Sequence, residues 1–362
     1  MKDNFGAAQA HTVGVEEEFQ LVDPVSRELT PAIDAVLTAG DGLSWITSEL
    51  SQSCVELVSP IFANVSELGK ELPVLRDKLG RLVRGCGVEL AAAGTHPFSD
   101  PVEQPFTRGE HHLRVEEQMG WVARTQAIYG LHVHVAVPDE ETAIRATGVL
   151  SRHVPLMISL SGNSPFWRGS DTRLSSTRIK VFEIFPRSGL PPDFRNWQAF
   201  ESHVETLVAS GNIPDYSWCW WDVRPHSKFG TVELRSPDVQ TDVSYTISLA
   251  ALVQCLVATA DEREPENPLL TEENKWLATR HGLDAIFYDF SDEKKLSARD
   301  LAFRLVAELT PVAQDLGCEN ELQGVLEMVE RGSGAGLQRE TFEKHSSLET
   351  VVDRLVEATT SR

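Results

Sequence analysis

Two stretches of strict alternation constrain this chain more than its composition does. In Leu131-His-Val-His-Val-Ala-Val137 aliphatic residues hold the odd positions, while His132 and His134 share the other side. Period two marks a β-strand, whose successive side chains point to opposite faces. In Val13-Gly-Val-Glu-Glu-Glu-Phe-Gln-Leu21, Val13, Val15, Glu17, Phe19 and Leu21 fall on one face and Glu16, Glu18 and Gln20 on the other. Such segments pack one face against a core and turn ionisable groups outward from the other.

Four strands are predicted this way, over 12–22, 54–59, 130–137 and 230–236. The second sets Glu56 among apolar neighbours in Val-Glu-Leu-Val, and the fourth, Thr231-Val-Glu-Leu-Arg235, buries Val232 and Leu234 and presents Glu233 beside Arg235. Alone, each segment is also compatible with a solvated sheet face or an ordinary cross-strand ion pair. Their conjunction is more demanding. On one sheet, Glu16, Glu18, Glu56, Glu233 and one or both histidines would crowd a single surface. Carboxylates that close repel one another and lose hydration, so the cluster calls for cations. Oxygen donors with one imidazole favour Mg²⁺ or Mn²⁺ over zinc. Beside arginines, such a site suits phosphate binding and phosphoryl transfer.

Helical spacing separates the strands, over 66–85, 140–160 and 242–260; in the first, Leu68, Leu72, Leu75, Leu79 and Leu82 recur at three- and four-residue steps. The loop-rich stretch 161–192 concentrates Arg168, Arg173, Arg178, Lys180 and Arg187. A charged, proline-bearing joint at 262–268 divides the chain into an α+β catalytic core, 1–262, and a segment, 263–362, read as helical to its end and packed on that core as one structural domain. The strands are unequally spaced, which fits neither a regular βαβ winding nor a meander. Arg331-Gly-Ser-Gly-Ala-Gly336 reads as a turn between helices.

Composition narrows the function. The formal charge of −21 argues against nucleic acid and against anionic lipid as partners. Five scattered cysteines without a CxxC pair fit neither a disulfide scaffold nor a zinc ribbon and suggest a reducing, cytoplasmic setting. No apolar leader is visible, and the longest apolar run, 246–260, falls short of the roughly 20 residues that span a bilayer. There is no GxxxxGK[ST], no strand-linked GxGxxG and no G-x-S-x-G. Trp218, Trp220 and Trp221 read as core and pocket wall.

Several longer segments, taken in order, resemble the type 2 glutamate–cysteine ligases, also called carboxylate–amine ligases: GVEEEFQLVDP, CVELVSP, GTHPF, GLHVHVAVPD, SGNSPFWRG, WDVRP, TVELRSPD, RHGLDA and RGSGAG. They run from Val13 to about Gln338, nearly the whole chain. The resemblance implies a glutamine-synthetase-like fold, a curved and mainly antiparallel sheet flanked by helices, and a homodimer. It implies ATP- and Mg²⁺-dependent joining of a carboxylate, typically the glutamate side chain, to an amine such as that of cysteine. It suggests Glu16, Glu18, Glu56, His132 and Glu233 as metal ligands, and Arg235 as the phosphate or acyl-phosphate contact. His134 is a further candidate on its strand, and Arg178, Arg224 and His134 would hold substrate. Lys180 joins Arg235 at the nucleotide, while Glu49 and Asp238 stand near enough to the motifs to serve as base. One departure is His134, where the better-known members have asparagine, so amine specificity does not transfer. The other is Cys54, ahead of Val55. The competing classes are a metal-dependent hydrolase of amides or phosphate esters and a non-catalytic nucleotide binder.

Overall fold

A computed structural model describes residues 3–260, 268–289 and 294–360. The 262–268 joint therefore lies, Pro268 apart, outside the described residues. The elements up to the middle of the chain are β1 (Val13–Val22), α1 (Ile33–Ala39), β2 (Ile46–Ser48), β3 (Cys54–Val58), α2 (Val65–Gly85), β4 (Glu89–Ala91), α3 (Glu110–Met119), α4 (Trp121–Arg124), β5 (Leu131–Ala136) and α5 (Glu140–Ser161). Then come β6 (Phe166–Trp167), β7 (Ser170–Asp171), α6 (Thr177–Phe182), α7 (Trp197–Ala209), β8 (Val223–His226), β9 (Thr231–Leu234) and α8 (Val243–Ala258). The remainder holds α9 (Pro268–His281), β10 (Ile286–Asp289), β11 (Lys294–Ser297), α10 (Ala298–Leu316), α11 (Glu319–Arg331), α12 (Gly334–His345) and α13 (Leu348–Thr359).

One sheet organises the molecule. Its order is β2-β3-β1-β5-β9-β8, with β4 also on β1, and every pairing is antiparallel. The four expected strands are its four central ones. The alternation held because one face is dry: Val13, Val15, Phe19, Leu57, Val133, Val135, Val232 and Leu234 are all buried against helices. α2 supplies Leu68, Leu72, Leu75 and Leu79 to that layer, starting from Asn64, whose side chain accepts from the Glu67 amide at 3.0 Å. α8 is buried along nearly its whole length, so it forms the centre of the helical layer.

The core continues across the 262 boundary, with Ala278, Leu305, Leu322, Val329 and Val352 in the same buried cluster as the sheet residues. The expectation of helix to the chain's end needs correcting, because β10 and β11 form a hairpin between α9 and α10. Its exposed positions carry Lys294 and Lys295, and too few apolar residues alternate there to mark a strand. β8 was missed because Pro225 interrupts it. Proline removes a ladder donor, which is tolerated since β8 is an edge strand.

A second buried cluster, rich in aromatics, joins Phe185, Phe200, Trp218 and Trp221 to Val115 of α3. It stands over the polar face of the sheet and closes a cleft there.

Candidate active site

The register of the sheet turns the scattered motifs into a band. Glu18 lies opposite Glu56 across β1 and β3, Glu16 opposite His132 across β1 and β5, His134 opposite Glu233 across β5 and β9, and Glu233 opposite Arg224 across β9 and β8. Side chains of directly opposed residues lie about 5 Å apart at Cβ, so each pair meets its neighbours. His132 Nδ1 is 3.0 Å from Glu16 Oε2, and His134 Nε2 is 3.4 Å from Glu16 Oε1. Both histidines have a ring nitrogen 3.9 Å from Glu233 Oε1. All of these groups line a cleft of about 310 Å³, together with Glu49, Cys54, Arg178, Arg224 and Arg235.

Three overlapping sets offer ligand atoms within 4.8 Å of one another: Glu16, Glu56 and His132; Glu16, His134 and Glu233; and Glu18, Glu49 and Glu56. The electrostatics of the two ends differ. Burial alone would raise the Glu233 carboxyl, but Arg224 and Arg235 hold it well below the usual range. Burial likewise opposes ionisation of Glu16, and the charges of His134 and His132 outweigh it. At the other end no cation compensates fully. Burial, then the charges of Glu16, Glu49 and Glu18, push Glu56 well above the usual range. Burial and the neighbouring Glu18 push Glu49 up to about 8. Burial and the same carboxylates raise the Cys54 thiol. Buried carboxylates that repel one another this strongly match a site built to hold hard divalent cations, and the donor set is dominated by oxygen.

The arginines divide by what they grip. Arg224 donates to Glu233 Oε2 from Nη2 at 2.7 Å and from Nε at 2.9 Å, and Nη1 reaches the carbonyls of Ser217 and Cys219. Its donors are thus engaged in bracing Glu233. Arg235 bonds the other Glu233 oxygen through Nη1, while its buried Nε has no partner among the described residues. Arg178 donates to the carbonyls of Arg235 and Ser236 at 3.2 Å each, and its Nε is likewise unpartnered. Gly130 makes room for it: a Cβ there would lie 2.1 Å from Arg178 Nη2.

Other residues picked from the sequence stand elsewhere. Lys180 does not line the cleft; it pairs with Glu183 at 2.6 Å and lies over the Trp276 ring. The basic run 161–192 disperses: Arg168 pairs with Asp100, Arg187 donates to the Trp218 carbonyl, and of its five cations Arg178 is the one on the cleft. Asp238 is fully buried away from the cleft, accepting from Asn163, Ser164 and Ser176. Of the tryptophans, Trp220 lines the cleft while Trp218 and Trp221 are buried behind it. The sequence did not reveal the outer wall, His111, His112 and Val115 of α3 with Phe182, Phe185 and His226. His226 shared a period-two face with Arg224, a signal hidden by Pro225. A larger cavity of about 520 Å³ between α8, α12 and α13 contains none of these acid clusters.

With the geometry established, relatives decide the family. A family model described as Glutamate-cysteine ligase family 2 matches residues 12–358. The chain belongs to this family. A protein of Rubrobacter xylanophilus named "Putative glutamate--cysteine ligase 2-3" is 58% identical, the match covering 99% of this chain and 100% of that one. Another, "Putative glutamate--cysteine ligase 2" of Solibacter usitatus, is 36% identical over 96% of this chain and 93% of the relative. Among solved structures, glutamate–cysteine ligase (gshA) from Francisella tularensis in complex with AMP superposes with a TM-score of 0.71 at 14% identity, covering 98% of this chain and 90% of that one. A bifunctional glutathione synthetase from Pasteurella multocida gives 0.69 at 13% identity, with 97% of this chain spanning 52% of that one. These structures bear on the fold, which is glutamine-synthetase-like as the sequence implied. As a family 2 member the chain is an ATP-dependent ligase of the glutamate–cysteine ligase kind.

Proposed function

We propose that this family 2 ligase joins the side-chain carboxylate of glutamate to an amine in two steps, using ATP, and releases a γ-glutamyl amide, ADP and phosphate. The observation that carries the reading is the band of Glu56, Glu18, Glu16, His132, His134 and Glu233 sharing one cleft with Arg178 and Arg235, whose buried Nε groups are unpartnered among the described residues.

A carboxylate resists nucleophiles because its charge repels them and oxide is a poor leaving group. In the first step a glutamate oxygen attacks the γ-phosphorus and ADP departs, leaving an acyl phosphate. In the second, the amine nitrogen attacks the carbonyl carbon, inorganic phosphate leaves, and the nitrogen loses a proton. Mg²⁺ or Mn²⁺, held by Glu16, Glu18, Glu49, Glu56, His132 and Glu233, would supply neutralisation of the triphosphate charge. Glu49 serves here as a ligand with Glu18 and Glu56, where its sequence position suggested a base. Arg235 offers its free N–H to the oxygens of the transferring phosphoryl group. Arg178 offers its free N–H to the substrate carboxylate. Arg224 acts on Glu233, fixing Oε2 so that Oε1 faces the histidines. His134 lies at the Glu233 end, with Nδ1 3.0 Å from Thr231 Oγ1, and borders the substrate.

The test is ADP release from Mg-ATP with glutamate and a panel of amines that includes cysteine, with mass spectrometry of the product. The reading expects sustained ADP turnover only when both partners are present, at most one equivalent per site with glutamate alone, and a product of glutamate plus amine less one water. Nucleotide binding with no ADP from any pair, or amide or phosphate-ester cleavage with metal alone, would replace it by a binding or a hydrolytic one.

A further inference from the structure

The Arg331–Gly336 motif does not line the cleft, yet it is tied to it. α12 starts at Gly334, whose place a Cβ could not share, since it would lie 2.1 Å from Asn163 Oδ1. The Ala335 amide donates to the Gly162 carbonyl at 2.9 Å, so the start of α12 sits directly on the turn after α5. One helical turn on, buried Gln338 donates from Nε2 to the Asn163 carbonyl at 2.9 Å and to Asn163 Oδ1 at 2.8 Å.

Asn163 passes this fixation forward. Its amide donates to Asp238 Oδ2 at 2.8 Å, and its side-chain nitrogen to the Val239 carbonyl at 2.8 Å. Asp238 also accepts from Ser164 Oγ at 2.7 Å and Ser176 Oγ at 2.8 Å. Ser164 Oγ in turn receives the Arg178 amide at 3.1 Å. Asp238 therefore clamps both the segment that leaves β9 through Arg235 and the start of the helix that carries Arg178. Arg178 makes no ion pair among the described residues; its guanidinium is held by the Arg235 and Ser236 carbonyls, whose segment runs into Asp238, and its backbone by Ser164, so both ends depend on this clamp.

We propose that Gln338 is a positioning residue of the active site, acting through Asn163 and Asp238 to place Arg178 and Arg235. The catalytic half of this inference rests on the ligase reading above. It also gives Gly334 of the C-terminal motif a purpose: close approach of a helix start to the Asn163 side chain, where the sequence suggests only a turn.

Gln338→Met keeps the length and removes both donors. Losing two buried hydrogen bonds that orient a cleft cation should raise KM for glutamate about tenfold and lower kcat by about as much. Amide hydrogen exchange at Ser164, Arg178 and Val239 should accelerate at least tenfold in the variant, with β1 amides unchanged. A lower Tm with unchanged KM, kcat per folded molecule and exchange at those amides would make Gln338 merely structural and overturn the proposal. Should Gln338→Met not fold, Gln338→Asn, whose amide falls one methylene short, is read by the same measurements. If the wild type releases no ADP, the ligase reading fails separately. The exchange result then decides the relay, and unchanged protection at Arg178 overturns it.

Discussion

Arg224 and Glu233 stand directly opposite each other on β8 and β9, and two guanidinium nitrogens of the one converge on a single oxygen of the other, at 2.7 and 2.9 Å. The arginine's planar fork fixes the carboxylate's rotation, which a lysine's point charge cannot do. Glu233→Gln should therefore cost at least ~10² in ADP release, the scale of losing one preorganised electrostatic group. Arg224→Lys should cost about tenfold and weaken apparent Mg²⁺ affinity, because Glu233 is freed to turn. Steady-state kinetics across a Mg²⁺ titration separate the two; near-normal turnover of Glu233→Gln would sink the site assignment.

Glu49 makes a pH prediction with a definite sign. Its carboxyl is raised from an ordinary 4.5 to about 8 in the folded, metal-free protein. Its contribution to stability is then complete below about 4.5 and is lost as pH rises towards about 8, since the unfolded chain ionises first. Other buried groups also change ionisation on folding, Glu56 among them, so the clean observable is a difference. The Tm of metal-free Glu49→Gln should gain on wild type steadily between those two pH values. Saturating Mg²⁺ should reverse the ranking, because the ion takes the place of the proton on wild-type Glu49 alone. A pH-independent Tm difference would contradict the burial and repulsion inferred at this cluster.

What the sequence disclosed follows from what is local. Alternation in β1, β3, β5 and β9 depends on neighbours two residues away, so Glu16, Glu18, Glu56, His132 and Glu233 could be read as one face before any coordinates. Partners could not. Glu17 alternates with the core residues of β1, and nothing nearby announces that Arg76 on α2 neutralises it. The cations of 161–192 are close in sequence but separate in space, because that stretch turns through β6, β7 and α6, and Arg168, Lys180 and Arg187 each find a partner away from the cleft. Glu49 sits just past a three-residue strand with no periodicity to read, and Gln338 reaches its partner across 175 positions. Family resemblance supplied the fold and the ligand set proposed above, yet not the brace on Glu233 or the relay proposed behind Arg178.

The pair Glu17 and Arg76 is buried on the core face, with Nε–Oε2 at 2.8 Å and Thr246 Oγ1 donating to the same carboxylate at 2.7 Å. The remaining arginine donors reach the Gln240 and Thr241 carbonyls. Removing one member strands a charge in the core, which typically costs about 3–5 kcal/mol. Arg76→Met should lose about that much in urea unfolding, and Arg76→Met with Glu17→Leu should recover most of it. If the double variant is no more stable than the single, the pair's geometry matters more than its charge.

Lys275 of α9 reaches from beyond the chain's midpoint to the back of the cleft. Its Nζ lies 2.6 Å from Asp222 Oδ2 and 3.0 Å from Glu183 Oε1, with the lysine side chain 1% exposed and Asp222 3%. Burial alone would lower the ammonium's pKa, but Asp222 and Glu183 outweigh it and raise it, so the ammonium stays charged at neutral pH. The Asp222 carbonyl receives the Arg235 amide at 2.7 Å, which links this ion pair to the backbone of a cleft arginine. Lys275→Met should destabilise the protein by about 3 kcal/mol or more, because Asp222 is left unpaired in a dry setting. Adding Asp222→Asn removes that stranded charge and should restore part of the loss, a coupling that a double-mutant cycle measures directly. Both single variants should also lower kcat for ADP release by a few-fold, since the segment carrying Arg235 loses a fixed neighbour. Independent, additive losses in the cycle would show that Lys275 and Asp222 do not neutralise each other in solution.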